Sequence, residues 1–422
     1  MSRDMSCVSV EKSSENIIRS LLMELPKIAD PKIRRGIQLR ILSEIAHSER
    51  QIRKANRQKD ELKNQTKHII QNARPTLLPR RELRKLTSRI KLLDRKLFAH
   101  GRRIDILRLL GTSLAYSFLD RTTILNLGAN PPPRSYLIDK EGLSTEIKAF
   151  NQLSSSNGSV VILNDITNCL TIGDITRVQN DQLELYEVKS SSTDRPVLKT
   201  RQINRMKTAT DFLNKQIESG PGYQKRILDV ESEETHNWKY LLEVLADAKT
   251  DGFSYKIVEG CLAYIAYRTD SVDLEEAVER AELPWSKASS ALLVGSLGRH
   301  IEGLNVRPLT LFPLEVGTTL DILFGRIKFI TLLNLVPFAE LFKKRGFEVR
   351  FGRPSPSIVE RLGSLGGEHL ENIDYKVQIF GKSGTPYIVE EGPLLRLVYE
   401  CLSVNTVIQD LVCAIGKMDE QQ

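Results

Sequence analysis

Gly173-Asp174-Ile175, followed thirteen residues after the aspartate by Glu187-Val188-Lys189, is the stretch on which the reading of this 422-residue chain turns. The apolar run 169–178 predicts a strand with Asp174 near its end, and 183–189 predicts the next strand. Gln179-Asn180-Asp181 supplies the hairpin turn between them. Strand residues two apart share a face. Glu187 and Lys189 therefore project together, where Leu183 and Leu185 come earlier on the same face. The hairpin brings Asp174 close to Glu187. Two carboxylates at that range repel unless a proton or a cation lies between them. A hard divalent ion, Mg2+ or Mn2+, suits an all-oxygen set. The Val188 carbonyl could complete the ligands, and the Lys189 ammonium would sit beside an attacking water.

The triplet alone carries little, because Glu61 to Lys63 and Glu146 to Lys148 have the same form. Its surroundings carry more. Upstream, 143–153 predicts an amphipathic helix with Leu143, Ile147, Phe150 and Leu153 on one face and Ser144 as N-cap. A short apolar strand, 160–163, follows. Downstream come a helix over 200–217, a helix over 238–248 and a strand over 257–267.

In that helix-strand-strand-strand-helix order, Gly173-Asp174-Ile175 and Glu187-Val188-Lys189-Ser190-Ser191 resemble the PD-(D/E)XK nuclease superfamily. The resemblance implies a restriction-endonuclease-like α/β core of α-β-β-β-α-β order and a metal-dependent phosphodiesterase. It implies Asp174 and Glu187 as metal ligands and Lys189 as the residue that orients or activates water. Glu146, on the helix before the first strand, matches a further metal-binding glutamate. Gln202, on the helix after the third, matches a glutamine that hydrogen-bonds the site. Gly173 stands where the naming proline would be, and Met206 where an aromatic is frequent. Lys199, Arg201 and Arg205 near that helix start are candidate phosphate contacts. The resemblance covers about residues 140–220.

Outside that segment the sequence is helical from 12 to about 127. Leu83, Leu86, Ile90, Leu93, Leu97, Ile104 and Leu107 repeat at 3-4 spacing, with His100 in the one remaining slot. This is a coiled-coil seam. Ile41, Ile45, Ile52, Leu62 and Ile69 keep a weaker heptad phase. Pro75 and Pro79 predict the tip of an antiparallel hairpin, because proline breaks a helix interior. Between residues 31 and 110, 23 Lys and Arg stand against 7 Asp and Glu, a surplus of 16. The whole chain carries +8, so the rest carries −8. So local a surplus implies an anionic partner, nucleic acid or an acidic protein.

Domain boundaries are expected as a basic helical hairpin over 1–128, a Pro-rich linker over 129–138, the α/β core over 139–300 and an α+β region over 301–422. The last shows no motif. No secretory leader or membrane span is apparent. Five cysteines without a CxxC pair fit a reducing cytoplasm and no structural zinc. DNA is favoured over RNA, because aromatics are 6% of the chain and no RNA-recognition signature appears. The expected function is a Mg2+- or Mn2+-dependent endonuclease, in a bacterial defence or mobile-element setting. The alternative is an inert nuclease-fold scaffold that binds nucleic acid or a partner protein through its basic arm. That arm could also support a homodimer.

Overall fold

The computed structural model describes residues 5–72, 77–128, 136–156, 158–180, 182–188, 217–220, 223–226, 233–283, 292–297, 306–351, 377–380, 386–389 and 392–419. The chain divides into two compact units, Met1–Lys225 and Arg226–Gln422. The expected break at 129–138 is not a unit boundary, because the helical hairpin and the segment bearing Asp174 pack as one body.

The first unit opens with α1 (Met5–Glu24), α2 (Pro31–Asn72), α3 (Leu77–Phe118) and α4 (Arg121–Leu127). The long helices α2 and α3 form the expected hairpin. Ala55, Leu62 and Leu93 are buried between its arms, with Leu86, Ile90 and Leu97 packed against them. Pro79 lies inside the first turn of α3 instead of breaking it, since an amide there has no helical partner to lose. α1, not anticipated as a separate helix, packs against the base of α3.

Next come α5 (Leu143–Leu153), β1 (Val160–Leu163), β2 (Ile175–Gln179) and β3 (Gln182–Tyr186), in the order expected. The three strands form an antiparallel meander, β1-β2-β3. Val160, Ile162, Val178, Leu183 and Leu185 cover one cluster with Ala115, Ile124 and Leu127 of the helices. Several boundaries move. Residues 169–174 are loop, so Asp174 precedes its strand, and Glu187 and Val188 follow β3. Asn180 turns the hairpin in the left-handed region, at φ +50°. Gly142, not Ser144, is the N-cap of α5. The helix expected over 200–217 falls outside the described residues up to 216, and Ile217–Gly220 is a strand, β4. It pairs with β5 (Tyr223–Arg226).

The free edge of β1 is covered by a side chain. The Gln38 amide on α2 donates to the Val161 carbonyl at 2.9 Å and accepts from the Leu163 N–H at 2.9 Å. Arg34 donates to the Ser159 carbonyl at 3.1 Å. Buried backbone groups need partners, and here one helix face supplies them.

The second unit holds a four-stranded antiparallel sheet in the order β6-β7-β9-β8 (Phe253–Val258, Leu262–Arg268, Ile327–Asn334, Leu292–Ser296). α6 (Trp238–Asp251) packs on it. The single strand expected over 257–267 is thus two, joined through Glu259 and Gly260 at positive φ. After β9 the chain turns into a helix, Leu335–Lys343, and before it Leu309–Leu311 is a 3-10 turn. Two helices, Gly392–Tyr399 and Val404–Asp419, follow near the end of the described residues. Glu259 accepts from the Val404 N–H at 2.8 Å at the start of the latter.

Candidate functional site

Asp174 is placed by backbone on both sides. Its N–H donates to the Tyr186 carbonyl at 2.8 Å, and its carbonyl accepts from the Asn164 N–H at 2.9 Å. Asn164 is buried just after β1. Its amide group donates to the Ile172 carbonyl at 2.9 Å and accepts from the Thr176 hydroxyl at 2.8 Å. That one side chain pins the loop into β2. Gly173 sits at φ +76°. Proline is fixed near −65°, so the residue for which the superfamily motif is named cannot occupy this backbone.

Three carboxylates meet beside that loop. The Lys140 ammonium lies 2.6 Å from Asp174 Oδ1, 2.7 Å from Asp165 Oδ2 and 2.6 Å from Glu146 Oε2. Asp165 comes from the 3-10 turn Asn164–Ile166 that follows β1. Glu146 comes from the buried face of α5, one turn before Phe150. The remaining Asp174 oxygen, Oδ2, accepts from the Val188 N–H at 2.7 Å. The sequence reading assigned the Val188 carbonyl to the site; what the structure places there is its amide. Glu187, next in the chain, has one carboxylate oxygen shut off from solvent.

Glu146 is the extreme member. It is 1% exposed, and neither of its oxygens completes a hydrogen bond. The 2.6 Å contact with Lys140 is its ion pair. Burial, and then the charge of Asp165, pushes the Glu146 carboxyl up to about 7 against the pull of Lys140. Burial alone would lower the Lys140 pKa, but Asp165, Asp174 and Glu146 together raise it, so the ammonium stays charged.

Three acids against one ammonium leave a formal charge of −2 when Glu146 is ionised. All donors are carboxylate oxygens, the ligand class of Mg2+ and Mn2+. In donor chemistry and residual charge the residues fit a hard divalent ion. Among the described residues, however, no group of three or more His, Cys, Asp or Glu side chains stands ready to hold a metal. The two observations agree once Lys140 is counted, because these carboxylates close on an ammonium and not around an open point.

The helical arms hold this cluster in place. On α2, Glu49 accepts from the Ile138 N–H at 3.2 Å and Arg53 pairs with Asp139, which fixes the segment before Lys140. On α3, Thr112 accepts from the Asn168 N–H at 2.8 Å. Gly111 lets that helix touch the turn bearing Asp165: a Cβ there would lie 2.0 Å from the Ile166 carbonyl oxygen.

Of the residues singled out in the sequence, Glu146 and Asp174 share one ammonium, and Glu187 and Val188 adjoin them. Lys189, Lys199, Arg201, Gln202 and Arg205 lie outside the described residues. Asp165 and Lys140 were not anticipated. The signal for Asp165 was an acid two residues past an apolar strand; Lys140 had none. Compared with models of protein families, with curated proteins and with solved structures, the chain matches none.

Proposed function

We propose that the chain is a metal-dependent phosphodiesterase of restriction-endonuclease-like type that cleaves DNA. The observation that carries this reading is the convergence of Glu146, Asp165 and Asp174 at the end of the meander where Glu187 follows β3. Glu146, Asp174, Glu187 and the Val188 carbonyl would hold Mg2+ or Mn2+, with Asp165 as an added carboxylate. When bound, such an ion lowers the pKa of water and offsets charge on the phosphate. Lys189 would orient the attacking water, and Gln202 would hydrogen-bond the site. Lys199, Arg201 and Arg205 would contact phosphates. Asn164 and Gly173 keep Asp174 in register with the end of β3, and the Val188 amide fixes its second oxygen.

The second reading, an inert scaffold that binds nucleic acid or a partner protein through its arm, is favoured by Lys140. An ammonium already balances part of the acid charge, as it would in a cluster that never takes a metal. Cleavage assays on linear, circular and single-stranded DNA, with Mg2+, Mn2+ or EDTA, separate the two. We expect metal-dependent cleavage that Asp174→Asn and Lys189→Ala each reduce roughly 10²-fold or more. A protein inert on every substrate with both metals overturns the hydrolytic reading in favour of the scaffold.

A further inference from the structure

The outer face of α3 carries a basic row. Arg81, Arg84, Ser88, Lys91 and Arg95 follow one another at 3-4-3-4 spacing, so they stack along one side of the helix. The seam residues Leu86, Ile90, Leu93 and Leu97 lie on the opposite side, packed against α2. All four cations are exposed, and among the described residues none has an ion-pair partner. The acids of this stretch, Glu82 and Asp94, fall on the flanks near the seam, and Asp94 is paired with Lys59. The row, with Ser88 its neutral member, is therefore free of acidic residues over about 21 Å, at 1.5 Å per residue.

We propose that this face of α3 is a docking surface for the phosphate backbone of duplex DNA. Along one strand, phosphates recur every ~3.4 Å of axis, so the row faces about six of them. An acidic protein surface would more naturally be met by aromatic or apolar anchors amid the charge; from Arg81 to Arg95 the row contains none, and Phe98, one step beyond, is a single exposed aromatic at its end. Single strands are gripped by stacking successive bases on several aromatic side chains, and this line offers one, Phe98, beyond the end of the basic row. The surface deepens the proposed function by giving the substrate a place to lie. It does not depend on hydrolysis.

The test is fluorescence anisotropy of a labelled 30-base-pair duplex in EDTA, titrated across salt concentrations. The variant replaces Arg81, Arg84, Lys91 and Arg95 with Gln, whose helix propensity is close to that of Arg and Lys. Circular dichroism checks that the hairpin persists. A control of equal charge change replaces Lys239, Lys249, Lys343 and Lys344 with Gln, all exposed in the second unit. We expect the slope of log K against log salt to become shallower by up to ~3.6 in the α3 variant, four contacts at ~0.9 each. Its affinity at low salt should fall at least ~10-fold, and the control should keep both values. An α3 variant that binds like wild type, or a control that loses as much, overturns the proposal. So does displacement of the duplex by polyglutamate as readily as by unlabelled duplex, which would make the row a site for acidic proteins. With metal absent, failure here leaves the hydrolytic reading intact, and the converse also holds.

Discussion

Lys140 occupies the centre of the acid cluster, and removing its charge tests what the cluster is for. Lys140→Met leaves three carboxylates facing one another without a cation. Breaking a buried ion pair in this way costs about 3 kcal/mol, so the melting temperature in EDTA should fall. If the carboxylates accept a divalent ion, Mg2+ should raise the melting temperature of the variant more than that of wild type. A variant indifferent to Mg2+ would argue for a purely structural lysine. His100 gives a second residue-scale prediction. It is buried in the seam, and desolvation first, then Arg103, His47 and Lys96, lower its pKa to about 4. A base with a depressed folded pKa contributes stability above its unfolded pKa of 6.5 and loses it as pH falls toward 4. By pH 5 the loss is about 2 kcal/mol. Urea midpoints should drop between pH 7.5 and pH 5 in wild type, and by distinctly less in His100→Leu. Asp174 and Glu187 could be read from the chain because a hairpin is local. Lys140 could not, because Glu49 and Arg53, some ninety residues upstream, hold its segment against the acids.

At the scale of elements, α3 does two jobs along one axis. Its outer half is the far arm of the hairpin, and its inner half packs against the turn bearing Asp165. Two glycines distinguish them. At Gly101 a Cβ meets nothing within 4 Å, so Gly101→Ala should stabilise by about 0.5–1 kcal/mol through helix propensity. At Gly111 a Cβ would meet the Ile166 carbonyl at 2.0 Å, so Gly111→Ala should cost roughly 1–3 kcal/mol. Thermal melts of the two variants should therefore move in opposite directions. The seam of α3 was legible because its 3-4 repeat is intrinsic to the sequence. The break between Gly392–Tyr399 and Val404–Asp419 was not. It rests on Cys401 at φ +51° and on the Asn237 N–H donating to the Cys401 carbonyl at 2.7 Å, a contact far away in sequence. The turn at Glu259 and Gly260 escaped notice because apolar residues run through both flanking strands.

Across the whole molecule, the order α5-β1-β2-β3 and the hairpin were visible in the chain, whereas its division into units was not. Proline-rich 129–138 reads as a linker, yet side chains of α2 and α3 reach past it in sequence, Gln38 to Val161 and Leu163 of β1 and Thr112 to Asn168 in the loop before Asp174. Composition cannot reveal such long-range pairing. Among the described residues no helix is long and apolar enough to cross a membrane. The hairpin segment 31–110 carries +16 against −8 for the rest of the chain, and under the proposed function that surplus would draw a polyanion toward the first unit. The Gln38 amide has a consequence of another kind. An unpaired strand edge is a template for foreign strands and for self-association. By pairing the Val161 carbonyl and the Leu163 N–H, one glutamine side chain occupies the β1 edge where another chain's strand would pair, and so should lower the meander's tendency to recruit a fourth strand.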